Sequence, residues 1–130
     1  MYEQTTSALT VTVTPEYLED QSRPREGHFV WAYHVVIENH GDEQVQLLNR
    51  YWRIVDGEGR VQEVRGAGVV GERPVLKPGE SFSYTSGTPL STSSGIMVGT
   101  YEMVNERGEA FEIAIPAFSL DCPLVARSVN

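Results

Sequence analysis

The sequence predicts an all-β protein, an immunoglobulin- or fibronectin type III-like β-sandwich of about seven strands. Three observations carry that expectation. Apolar and polar residues alternate with period two along most of the chain, as in strands with one buried face. Glycine-, Asn- and Asp-bearing turn signals recur between the alternating runs, supplying positive φ and local side-chain hydrogen bonds. No segment of ten or more residues has helical periodicity. A small open barrel is the competing architecture.

Taken in order, Leu9, Val11 and Val13 alternate with Thr10, Thr12 and Thr14 in a first strand. PEYLEDQSRPRE (15–26) carries Pro24 and dense charge, which predicts a loop or edge connection. Phe29, Trp31, Tyr33, Val35 and Ile37 then share one face of a long strand. Leu48, Trp52 and Ile54 share a face of VQLLNRYWRIVD, with Arg50 the odd member. Phe111, Ile113 and Ile115 close the series, after a hairpin turn at Glu106-Arg107-Gly108. Further turns fall at NHGDE (39–43), DGEG (56–59) and KPGE (77–80). The 130 residues fit one domain, bounded at 1–126 with a short tail at 127–130.

Net charge is −8, which argues against nucleic acid or anionic membrane as partner. The charge is uneven. Arg50 to Lys77 nets +2, and the remainder −10. Cys122 is the sole cysteine, so neither an intrachain disulfide nor a C-x-x-C motif exists. The N-terminal MYEQTTSALT lacks the basic and apolar regions of a signal peptide. A reduced cytoplasmic protein is the expectation.

Inside the positive stretch, residues 66–71 read GAGVVG, the G-x-G-x-x-G pattern of dinucleotide-binding turns. That mechanism needs a helix after the glycines and an acid about 20 residues on. Pro74 and Pro78 interrupt the helix, and TSGTPL (85–90) offers no acid. Two readings remain. In one, the glycines serve a tight turn or close backbone approach. In the other, backbone N–H groups between Arg65 and Arg73 form an anion nest with Gly66, Gly68 and Gly71.

His28, His34 and His40 are spaced by six, about 20 Å apart along one strand, so they cannot share a metal unaided. TSGTPLSTSSG (85–95) reads as a flexible hydroxyl-rich loop. No positioned acid, base or nucleophile emerges, so neither an enzyme nor a cofactor is expected.

Four stretches point further: WRIVDGEG (52–59), VRGAGVVGERPVLKPGE (64–80), YTSGTPLSTSSGIMVGTY (84–101) and FEIAIPAFSL (111–120). In this order they closely resemble the ApaG family, over about residues 5–122. The resemblance implies a fibronectin type III-like sandwich without an established catalytic activity. It links bacterial members to cobalt and magnesium efflux, and related eukaryotic domains to F-box proteins and a DNA polymerase-interacting protein. The family's glycine pattern has also suggested nucleotide or pyrophosphate binding. The expectation is a non-catalytic binding module for an unidentified protein, with a small-anion sensor as the alternative. Exposed edge strands would also permit a homodimer.

Overall fold

In the computed structural model, residues 1–123 are described, and the domain limit at 126 and the tail at 127–130 lie outside them. Among the described residues nine strands form: β1 (Tyr2–Thr6), β2 (Leu9–Tyr17), β3 (Phe29–Asn39), β4 (Val45–Asp56), β5 (Val61–Ala67), β6 (Val75–Leu76), β7 (Ser81–Leu90), β8 (Ser94–Asn105) and β9 (Ala110–Asp121). One antiparallel sheet has the order β1-β2-β3-β7. The other runs β5-β4-β8-β9, with β6 beside β4. Segment 15–26 continues β2 to Tyr17, then makes two single 3-10 turns.

Nine strands rather than about seven form because two are nearly silent in sequence. In β1, YEQTT has no apolar alternation and stays largely exposed. Its turn into β2 uses Ser7 and Ala8 at φ 49° and 65°, left-handed positions normally taken by Gly or Asn. The two-residue β6 pairs with β4 through Val45 and Gln46. The hydroxyl-rich stretch from 85 is also ordered. Thr85–Leu90 completes β7 against β3, leaving a short bend before β8. Repeated antiparallel pairing, not apolar content, makes this segment a strand.

The inner faces meet in one core containing Trp31, Tyr33, Trp52, Tyr101 and Phe118. Tyr33 and Trp52 cross the inter-sheet space with ring centroids 5.3 Å apart at 64°, a favourable edge-to-face geometry. One side of the sandwich is closed. The Ala114 amide donates to Thr6 Oγ1 and the Ser119 amide to the Tyr2 hydroxyl. On the other side, among the described residues, no hydrogen bond joins β5 to β7.

Asn39 ends β3 buried, 2% exposed. Its Nδ2 donates to the Glu43 and Leu76 carbonyls at 2.9 and 3.0 Å, and its Oδ1 accepts from the Gly41 amide. The predicted NHGDE turn is thereby tied to β6. Asn39→Ala strands these backbone groups and is expected to cost about 1–3 kcal/mol. Urea denaturation checks this as a lower midpoint at unchanged slope.

A bulge corrects the expected face of β4. Leu47 pairs with Met103 and Asn49 with Glu102, so Leu48 is an extra residue. An inserted residue flips the alternation beyond it. Leu47, not Leu48, is therefore the buried partner of Val45 in the core. Arg50 keeps the inward parity of Trp52 and Ile54.

Candidate functional site

The glycine run lies beside that bulge. Gly66 and Ala67 belong to β5, opposite Arg50 and Asn49. The chain then leaves β5, turns and passes through Pro74 into β6. The Leu48 carbonyl holds both arms of this excursion, accepting from the Gly68 amide at 2.8 Å and Arg73 Nε at 3.1 Å. At its tip, Val69 and Glu72 exchange both backbone hydrogen bonds. The two residues between them, Val70 and Gly71, have φ of 44° and 81°, as a two-residue primed turn requires. A left-handed β-branched residue costs on the order of 1–3 kcal/mol. Val69, beside it, is 1% exposed and part of the core.

Each glycine has a structural reason. A Cβ on Gly66 would lie 2.8–2.9 Å from the Arg50 guanidinium atoms. At Gly68 (φ 62°) it would come 2.2 Å from the Glu72 carbonyl oxygen. Gly71 has open space around it but a positive φ. The five residues of the anion reading do not converge as side chains. Arg65 and Gly66, adjacent in β5, point to opposite faces. Arg65 is on the outside, 3.4 Å from Glu63 and with its guanidinium carbon 4.6 Å from the Tyr51 ring centroid. Arg73 reaches back to Leu48.

The cation facing inward is Arg50. Its Nη1 donates to the Ala67 and Gly68 carbonyls at 3.1 and 2.9 Å. Tyr33, Tyr84 and Ser86 stand across a cavity of about 200 Å³ from it. Burial raises the pKa of Tyr33, Tyr84 and Tyr101 above the usual phenol value. These hydroxyls stay protonated at neutral pH. Tyr84 and Tyr101 are hydrogen-bonded to each other.

Register builds a second surface on the outer face of β5-β4-β8-β9. Val61, Val55 and Ile96 form one row across three strands. Val61 and Ile96 are 50% and 51% exposed. The next rows bring Glu63, Arg53 and Val98 together, then Arg65, Tyr51 and Thr100. The Tyr51 hydroxyl donates to Glu63 at 2.9 Å, and this bond raises the phenol's pKa. Beyond lies a groove of about 460 Å³ where Arg65 and Gly66 meet Arg50, bordered by Asn49, Glu102 and Glu112.

The ApaG domain profile matches residues 19–105, which hold β3 to β8. The chain belongs to the ApaG family. It is 66% identical over 123 residues to the Protein ApaG of Rhodospirillum centenum, covering 95% of each chain. It is 62% identical over all 130 residues to that of Mesorhizobium japonicum, covering 100% of each chain. A solved Bordetella pertussis protein superposes with TM-score 0.87 at 54% identity, over 88% of this chain and 94% of that one.

Within this ApaG chain, the sequence marks Arg50 as a cation at a core-facing position, but the bulge that sets its surroundings carries no local signal. The outer rows are less visible still, because they depend on which strands become neighbours. The histidines stay dispersed: His34 is engaged by Glu16 and Thr85 at 2.9 Å each, while His40 lies 3.9 Å from Glu38.

Proposed function

We propose that this ApaG chain is a non-catalytic cytoplasmic binding module that presents the outer face of β5-β4-β8-β9 to another protein. The observation carrying this reading is the Val61-Val55-Ile96 row, half-buried at Val55 and exposed at both ends, beside Tyr51, Arg53 and Arg65. An apolar centre bordered by Tyr and Arg matches the composition of energetically dominant interface patches. Glu63, Glu102 and Glu112 supply a polar rim. A link to divalent-cation homeostasis would then run through the partner.

The test compares partner capture by the wild type, Ile96→Glu and Ser83→Glu, followed by direct binding of the purified partner. Ser83 is an exposed β7 residue of the other sheet. Burying a carboxylate in the apolar row is expected to weaken binding roughly tenfold or more. Ser83→Glu is expected to bind as wild type does. Equal binding by Ile96→Glu, or binding lost only in Ser83→Glu, overturns the assignment.

A further inference from the structure

We propose that Arg50, the Val69–Glu72 turn and the β7 hydroxyls form a binding site for one small oxyanion, a phosphate or the carboxylate of a small acid. This goes beyond protein recognition on the outer face and places a second ligand between the sheets.

The argument begins with an unbalanced charge. Arg50 is half-buried on the inner side of β4, and no carboxylate lies within 4.0 Å of it among the described residues. Cations withdrawn from water require a partner charge or a full set of hydrogen bonds. Arg50 has neither. Nη1 is used by the Ala67 and Gly68 carbonyls. Nε and Nη2 have no protein acceptor among the described residues. Their geometry suits a planar or tetrahedral oxyanion.

The surroundings supply further donors. Tyr33, Tyr84 and Ser86 line the cavity with Arg50. Val70 and Gly71 line it as well. The Val69–Glu72 bridge uses the amides of its two end residues, leaving those of Val70 and Gly71 without a protein acceptor among the described residues. Successive turn amides of this kind form concave anion sites. No carboxylate is among the residues lining the cavity.

Size then narrows the ligand. About 200 Å³ falls below the roughly 300–1,000 Å³ typical of drug-sized ligand pockets. The space suits one phosphate or a small carboxylic acid. Gly66 acquires a second role, because the absence of its side chain lets the guanidinium lie across β5 beside this space.

The test is an amide and arginine Nε–H NMR titration of the full chain with inorganic phosphate and, separately, acetate, at ionic strength held constant with chloride. Saturable shifts are expected at Arg50 Nε–H, Val70 and Gly71 for at least one anion. The two arms decide which oxyanion is taken. Arg50→Met is expected to weaken binding at least tenfold, whereas Arg65→Ala and Ile96→Glu leave it unchanged. If Arg50→Met does not fold, Ser86→Ala and Tyr33→Phe provide the same comparison, each with an expected several-fold loss. No saturable shift with either anion in the folded wild type overturns the proposal. So does binding undiminished by the pocket substitutions, or loss tracking Arg65 instead. Because Ile96→Glu bears on the outer face alone, failure of the protein-binding reading leaves this result separately interpretable.

Discussion

Gly99→Ala is expected to destabilise the protein by about 3 kcal/mol or more, at the upper end of the usual cost of overpacking. Gly99 lies in β8 between Trp52 of β4 and Ile115 of β9. A Cβ there would fall 2.1 Å from the Tyr51 carbonyl oxygen, 3.1 Å from Trp52 Cε3 and 3.2 Å from Ile115 Cδ1. The side chains can yield by a few tenths of an ångström. The carbonyl cannot yield without moving β4 away from β8 and disturbing the ladder between them. For a domain of this size the loss corresponds to a melting-temperature drop of roughly 10 °C or more. Gly87→Ala is the comparison. Its Cβ would sit 3.3 Å from the Trp31 carbonyl oxygen in exposed edge strand β7. Equal losses for the two variants, measured by urea denaturation, would show that close backbone approach in β8 does not govern the effect.

Phe118→Ala is the second large effect, with an expected cost of about 3–5 kcal/mol. Phe118 is 1% exposed. Its ring centroid lies 5.9 Å from that of Trp52 at 90°, and 6.0 Å from those of Tyr2 and Tyr33. The side chain therefore joins β9 to β1, β3 and β4, spanning both sheets. Truncation removes buried area, opens a cavity and weakens several ring pairs together. Those contributions share one side chain and should not be summed independently. Against a typical domain stability of 5–15 kcal/mol, the loss is large enough to populate unfolded chains. Phe118→Leu preserves most of the volume and is expected to lose less than about 1.5 kcal/mol. A cost below 1 kcal/mol for Phe118→Ala would overturn this ring's bridging role.

The strands with one apolar face and punctuated ends were readable before the fold was described. β2, β3, β9 and the hairpin at Asn105–Glu109 follow directly from alternation and turn chemistry. Elements defined by partners were less visible. β1 contributes Tyr2 to the core edge but has exposed residues through its middle. The Ser7-Ala8 turn lacks the usual residues for its conformation. Thr85–Leu90 resembles a loop until β3 pairs with it. Leu48 shows how one bulge reverses an otherwise sound face assignment.

The candidate site was legible only at its landmarks. GAGVVG and the positive stretch lie in the sequence beside Arg50, Val70 and Gly71 of the cavity. They did not reveal that Gly66 backs Arg50, that Gly68 clears Glu72, or that Val69 enters the core. Arg65 and Arg73 are close to the glycines in sequence, yet strand alternation turns Arg65 outward while Leu48 holds Arg73. Arg50 occupies the inward position because backbone pairing, rather than sequence proximity, selects its neighbours.

The closure between β1 and β9 also makes the sandwich mechanically lopsided, like a book bound along one margin. Tyr2 and Thr6 are the stitches, each side chain crossing to the β9 backbone. The β5–β7 margin is tied only at one end among the described residues, where Arg60 Nη2 donates to Ser91 Oγ and the Gly57 amide to Thr92 Oγ1. Local openings draw on whichever packed unit separates most cheaply, so this margin beside Arg50 is expected to part before the spine, as faster amide exchange in β5 than in β9. Such a parting of the covers would open the interior without dismantling the spine.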